Sequence, residues 1–163
     1  QKAVKGSQSW KPKYYLALTY WSLGRMASAD SLFKAVGDTP EYAPFYAARA
    51  SFPGRRLIAA FQPHLFTRTR DFAPAFGAAL AAADATYLTA IYPAREQPLP
   101  GVTSALIADA MTHAGRAPQW QGSGDAVAAA LAADVREGDV VITIGAGDIT
   151  KAGPALLALL RRA

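Results

Sequence analysis

The sequence predicts an α/β protein: a Rossmann-like, mainly parallel sheet with helices on both faces, plus an N-terminal helical hairpin. Three observations predict it. From residue 55 onward, short apolar runs alternate with helical stretches, the pattern of a parallel sheet covered by helices. Before that point the apolar residues follow helical spacing only. The composition is 52% hydrophobic and 18% charged over 163 residues, which is enough to bury one core and excludes wholesale disorder.

In the first segment Tyr14, Ala17, Leu18 and Trp21 fall on one helical face, and Gly24 breaks the run. A second helix is predicted over 27–36, with Ala29, Leu32, Phe33 and Val36 on one face and Gly37 as its stop. A third is predicted over 40–52, with Thr39 as N-cap and Pro40 at its first position.

The alternating part then reads as follows. A buried strand covers 56–61 (RLIAAF), and a helix rich in Ala and Phe covers 69–83, with Pro74 near its start. A second strand covers 85–91. YPAREQPLPG, with three prolines, is a loop. A helix over 103–112 is capped by Thr103 or Ser104, a short strand covers 118–121, and a helix covers 125–133. DVVITI, 139–144, is the strongest strand. GAGD is a tight turn, and a closing helix covers 149–161.

Composition excludes several chemistries. With no cysteine there is no disulfide scaffold, thiolate zinc site or cysteine nucleophile. Two histidines, His64 and His113, exclude a histidine-rich metal site, and His113 decorates a helix end. The net charge of +5 is spread along the chain without a basic stripe, so no nucleic-acid partner is expected. No run of about 18 apolar residues exists, so no membrane partner is expected. The first residues lack both a signal peptide's apolar core and an initiator Met. The expectation is a cytoplasmic chain that is processed or cut from something longer.

In parallel sheets ligands sit at the carboxyl ends of the strands. That rule selects three polar loops, at 62–70, 92–101 and 145–151. The first gathers His64, Arg68, Arg70 and Asp71. Two arginines beside a positive helix start make sense if an anion lies between them, since guanidinium groups hold carboxylates and phosphates. The second holds Tyr92, Arg95 and Glu96, whose carboxylate suits an ammonium group. In the third, Gly145 and Gly147 permit close backbone approach before a helix start, with Asp148 next to them. Taken singly, each loop also fits a solvated surface turn. Position 150 is Thr150, so the G-x-G-x-x-G fingerprint is incomplete and a nicotinamide enzyme is disfavoured. G-x-x-x-x-G-K-[ST], G-x-S-x-G and H-E-x-x-H are absent.

FPGRRLIAAFQPHLFTRTRDF, IYPAREQPLPGV and GDVVITIGAGDITKAGP, in this order and spacing, resemble the C-terminal domain of the Mur ligases. These are the amide-bond ligases of peptidoglycan synthesis, and the likeness is to the branch that joins L-alanine to UDP-N-acetylmuramate. It runs from about residue 46 to residue 160. The resemblance implies a three-domain enzyme that uses ATP and Mg, in which this domain closes over the site and helps to hold the amino acid. It carries over His64, Arg68, Arg70, Tyr92, Glu96, Gly145, Gly147 and Asp148 as residues binding amino acid or nucleotide, with Ala94 and Ala146 matching the motifs beside them. It implies no catalytic residue and no metal ligand within this domain. Leu65 stands where Arg often occurs, Phe66 where Tyr is common and Arg95 where Gly is common. APFYAARASF stands where the family has His-His-Pro. Without ATP and UDP-sugar domains, this chain alone is expected neither to form amide bonds nor to hold ATP or Mg tightly.

YYLALTYWSLGRMASADSLFKAVGDTP resembles a tetratricopeptide repeat through Leu16, Ala17, Tyr20, Gly24, Ala29, Phe33 and Pro40. That resemblance implies a protein partner for the N-terminal helices. The chain then divides into a repeat-like segment, 1–45, and an α/β domain, 46–163. The alternative function is an interaction module fused to a non-catalytic α/β domain.

Overall fold

The computed structural model describes residues 51–162, together with Ser28, Ser31 and Leu32, which are helical. The chain forms two compact units, Gln1–Arg55 and Arg56–Ala163. Apart from those three positions, the predicted N-terminal hairpin and its repeat-like character lie outside the described residues.

The second unit alternates strand and helix throughout. Its elements are β1 (Leu57–Gln62), α1 (Phe66–Leu80), β2 (Ala85–Thr89), α2 (Ala105–His113), β3 (Trp120–Gly122), α3 (Val127–Ala132), β4 (Val140–Gly145) and α4 (Ile149–Leu160). The strands form a parallel sheet in the order β3-β2-β1-β4. The chain walks outward from β1 through β2 to β3, then returns across the sheet to place β4 on the other side of β1. This makes the β1–β4 junction the point where strand order reverses, and the carboxyl ends there form the natural crevice of such a sheet.

Every residue of β1 is buried, as expected of a central strand covered on both faces. On one face Ile58, Ala60, Ala85 and Tyr87 pack with Val127 and Leu131 of α3 and Ile149, Ala152 and Leu156 of α4. On the other, the Phe61 ring lies 5.3 Å from that of Phe76 in α1, and Thr86 Oγ1 donates to Leu80 O at 3.2 Å. Each fully buried large side chain contributes about 1.5–3 kcal/mol. The helices α1 and α2 meet at backbone distance through Gly77. A Cβ there would stand 2.5 Å from Ala110 Cβ and 2.7 Å from its carbonyl carbon.

Several predicted boundaries shift, and two of the shifts have a visible physical cause. The helix α1 starts at Phe66 rather than 69 and carries Pro74 inside it. The missing proline N–H costs one ladder bond, and burial of Ala73, Phe76, Gly77 and Leu80 holds the helix together across it. Strand β2 ends at Thr89 rather than 91. Ala90 N–H donates to Gly122 O, and the chain then bends so that Tyr92 forms a separate parallel bridge with His64. Of the two cap candidates for α2, the Thr103 hydroxyl accepts the Ala105 N–H at 3.2 Å, while Ser104 makes no side-chain cap bond. The predicted strongest strand, β4, pairs only with β1 and lies at the sheet edge among the described residues. No helix among the described residues is long and apolar enough to cross a membrane.

Candidate functional site

The three strand-end loops come together at the β1–β4 crevice, and backbone groups fasten them. Leu65 N–H donates to Tyr92 O at 3.0 Å, and Tyr92 N–H donates to Pro63 O at 2.8 Å. The His64 and Tyr92 rings stack at 6.0 Å between centroids with planes 26° apart. On its other flank Tyr92 abuts Gly147, where a Cβ would collide with the tyrosine ring. A Cβ on Gly145 would collide with the Gln62 carbonyl oxygen. Both glycines have positive φ, +122° and +82°, so only glycine fits either position without strain. The close approach they permit is occupied by Gln62 and Tyr92 of the protein itself.

The start of α1 has an unusual cap. Its N-cap position is Leu65, with φ 69° and no side-chain cap bond. The acceptor comes from the second loop. Glu96 Oε2 takes the Thr67 N–H at 3.0 Å, and its Oε1 takes a short hydrogen bond from the Thr67 hydroxyl. The Thr67 hydroxyl is also the main reason the Glu96 carboxyl is held below its ordinary value. A carboxylate at a helix N-terminus meets free N–H groups and the positive end of the helix dipole. Glu96 therefore fastens the second loop to the helix bearing Arg68 and Arg70.

Arg68 and Arg70 are thus the third and fifth residues of α1 rather than loop residues. Arg68 is half-buried. Arg70 Nε donates to Asp71 Oδ1 at 2.7 Å, both side chains being about half exposed (55% and 50%). That hydrogen bond raises the Arg70 pKa and lowers that of Asp71. At the start of α4, Lys151 Nζ pairs with Asp148 Oδ1 at 2.8 Å, again exposed, and this bond raises the lysine pKa. The first backbone N–H of α4, on Ile149, is taken by Gln62 Oε1 at 2.9 Å.

The structure therefore sets His64 and Gly147 on either side of Tyr92, places Gly145 against Gln62, and ties Glu96 to the start of α1 through Thr67. Sequence reasoning missed Gln62, Thr67 and Lys151. The visible signal for Gln62 is a lone polar residue closing an apolar strand. Thr67 had none, because its partner lies 29 residues away. As for metals, no group of three His, Asp or Glu that could hold an ion occurs among the described residues. The described residues therefore offer no three-ligand protein set for magnesium, an ion that commonly needs only one or two carboxylates beside phosphate oxygens.

Comparison with known proteins agrees with this geometry. The family model described as "Mur ligase, glutamate ligase domain" matches residues 43–147. UDP-N-acetylmuramate–L-alanine ligase of Cutibacterium acnes is 53% identical over 115 residues, covering 70% of this chain and 24% of that enzyme. The enzyme of the same name from Mycolicibacterium gilvum is 50% identical over 110 residues, covering 67% of this chain and 22% of its own length. That from Streptomyces griseus is 47% identical over 111 residues, 68% and 24% respectively. The chain spans about a quarter of the length of these relatives. With a four-stranded parallel α/β unit under those matched residues, the chain belongs to the Mur ligase family through its C-terminal, glutamate ligase domain.

Proposed function

We propose that this chain is the amino-acid-binding closing domain of an ATP-dependent UDP-N-acetylmuramate–L-alanine ligase of peptidoglycan synthesis. The observation that carries the reading is the fastened rim. His64, Tyr92 and Gly147 are locked into one mouth, with α1 and α4 starting beside it. Arg68, Arg70 and Lys151 are the cationic groups of those helix starts. Exposed ion pairs are worth little, so an incoming carboxylate or phosphate exchanges readily with Asp71 or Asp148. Glu96 positions α1, and its carboxylate is already engaged by Thr67.

In this reading the UDP-sugar carboxylate is activated as an acyl phosphate, and the amine of L-alanine attacks it to give the amide, with ADP and phosphate as the other products. ATP supplies the phosphoryl group. The chain carries no phosphate loop, and the first N–H of α4 is already bonded to Gln62, so its own residues offer a cationic rim rather than a nucleotide cradle. No cluster of three His, Asp or Glu that could cage magnesium occurs among the described residues.

The test is a chimera in which this chain's matched residues replace the 115-residue counterpart in the Cutibacterium acnes ligase. Amide synthesis is expected. Arg68→Ala in the chimera should lower kcat/KM for L-alanine by about a hundredfold, the loss of a charge-assisted contact. A folded chimera without turnover would overturn the proposal. The chain alone should show loop chemical-shift changes with millimolar ADP or L-alanine and no turnover.

A further inference from the structure

The side of the second unit beyond β4 is built like half of an interface. Strand β4 pairs with β1 alone among the described residues. Val140 N–H donates to Arg56 O, so Val140, Ile142 and Ile144 turn their backbone groups toward β1. Backbone direction alternates along a strand, so Val141 and Thr143 turn theirs outward. Thr143 is exposed, and Val141 and Ile142 are half-buried. Sheet edges are usually blunted by charges, proline or bulges. The residues of β4, VVITIG, include neither a charge nor a proline, and the strand stays in register with β1 throughout.

The second, independent observation is the flank of α4 above that edge. Helix α3 lies over β2, and α4 lies over β4 and β1. Lys151 and Ala155 of α4 share a hollow with Ala128 of α3, so that flank of α4 faces α3. At about 100° per residue, Gly153, Leu157 and Leu160 take the opposite flank, over the outer edge of β4. Leu157 is 55% exposed and Leu160 39%. A Cβ on Gly153 would meet nothing within 4 Å. A strand edge and an apolar helix flank thus form one continuous surface.

A second copy of the chain fits this surface. A twofold axis through Ile142 runs β4 antiparallel to its counterpart. Val141 then exchanges both backbone hydrogen bonds with Thr143 of the second copy, and Ile142 meets the other Ile142 in the close, non-hydrogen-bonded pair. Ile142 lies three residues, about 10 Å, before the strand end at Gly145. The same axis reaches α4 at a similar depth, about 9 Å beyond Ile149, at Ala155. There it sets Leu157 of each copy over Gly153 of the other, an exposed side chain against an open space. Antiparallel helices also keep the two Arg161 side chains at opposite ends.

We propose that this face is a homodimer interface, joining two four-stranded sheets into one continuous sheet through β4 and α4. One strand edge and two leucines per copy form a contact at the low end of specific interfaces, so the dimer is weak, with a Kd of roughly 10–100 µM. The two carboxyl-end rims open at opposite ends of the joined sheet and stay clear. The inference does not depend on the ligase reading.

The test is sedimentation equilibrium of the full chain from about 1 µM to about 1 mM, around the expected Kd. A reversible monomer–dimer equilibrium is expected, and hydrogen exchange at the Val141 and Thr143 amides should slow as concentration rises. Leu157→Glu replaces an exposed side chain, so it should keep the melting temperature of the dilute chain and weaken the dimer at least about tenfold. Thr143→Pro removes an outward N–H, which an edge strand tolerates, and should weaken it as much. A chain that stays monomeric at the highest concentration overturns the proposal. So does a dimer whose Kd is unchanged in Leu157→Glu, or protection of Val141 and Thr143 that is independent of concentration, the sign of the chain's own residues on that edge.

Discussion

The two ends of the sheet use charge in opposite ways. At the amino end, Arg56 donates to Asp134, to the Asp134 carbonyl and to Asp139. Tyr87 adds its hydroxyl to Asp134 at 2.9 Å. The Asp84 carboxylate accepts the Leu57 N–H at 2.7 Å. These groups tie β1, β2, the end of α3 and the approach to β4 into one base. Burial and the Asp134 carboxylate push the Tyr87 hydroxyl up to about 12, and the Tyr87 hydrogen bond is the first cause of the lowered Asp134 pKa. At the carboxyl end, the Arg70–Asp71 and Lys151–Asp148 pairs are each at least half exposed, and tight backbone contacts do the fastening. The base spends its charges on the fold, while the rim leaves its charges exchangeable and relies on glycines for rigidity.

The largest expected effect breaks the rim without touching a charge. Gly145→Ala forces a Cβ into the Gln62 carbonyl at a φ of +122°. It should cost about 3 kcal/mol or prevent folding, read by urea denaturation. Normal stability in that variant would show that the rim is soft and the contrast false.

Arg56→Met comes next. It leaves Asp139, 6% exposed, and Asp134 without their cation, and should cost about 2 kcal/mol at neutral pH, since part of the network is solvated. Arg70→Met should leave the unfolding midpoint unchanged. Equal effects of the two substitutions would erase the distinction. Because the folded protein holds the Asp134 carboxyl below its ordinary value, the unfolded chain takes up that proton first. The gap between wild type and Arg56→Met should therefore shrink as pH falls through the lowered folded-state value.

The smallest effect sharpens the comparison. Glu96→Gln keeps the shape of the cap and removes its charge. The wild-type contribution is whole above the ordinary value of 4.5 and fades as pH falls through the lowered folded-state value. Glu96→Gln should lack that acid-side loss and shift chiefly the Phe66 and Thr67 amide resonances. Shifts spread over β1 and β4 would mean that Glu96 supports the whole sheet.

Alternation of apolar runs with helical stretches was enough to place all four strands and four helices of the second unit, because each buried run answers to local periodicity. The start of α1 was not legible. Leu65 is no capping residue by type, and the acceptor that fixes the helix sits on Glu96 in another loop. The rim glycines were legible as glycines, but their neighbours were not. Which group a glycine admits depends on the register of β1 against β4, where Gln62 faces Gly145, and on the Tyr92–His64 bridge. Neither pairing has a local signature. Gln62 was passed over because one polar residue after five apolar ones reads as a strand end.

Among the described residues, Leu65 (φ 69°) and Ala94 (φ 50°) are the non-glycine residues with positive φ, and they occupy the first and second rim loops. Such backbone is disfavoured for ordinary side chains and persists where its surroundings overrule it. Relaxing either bend would make a sturdier molecule and at the same time re-aim the histidine or the carboxylate beside it. In this domain, thermal robustness and the aim of the neighbouring His64 and Glu96 side chains are opposing demands on the same two peptide units.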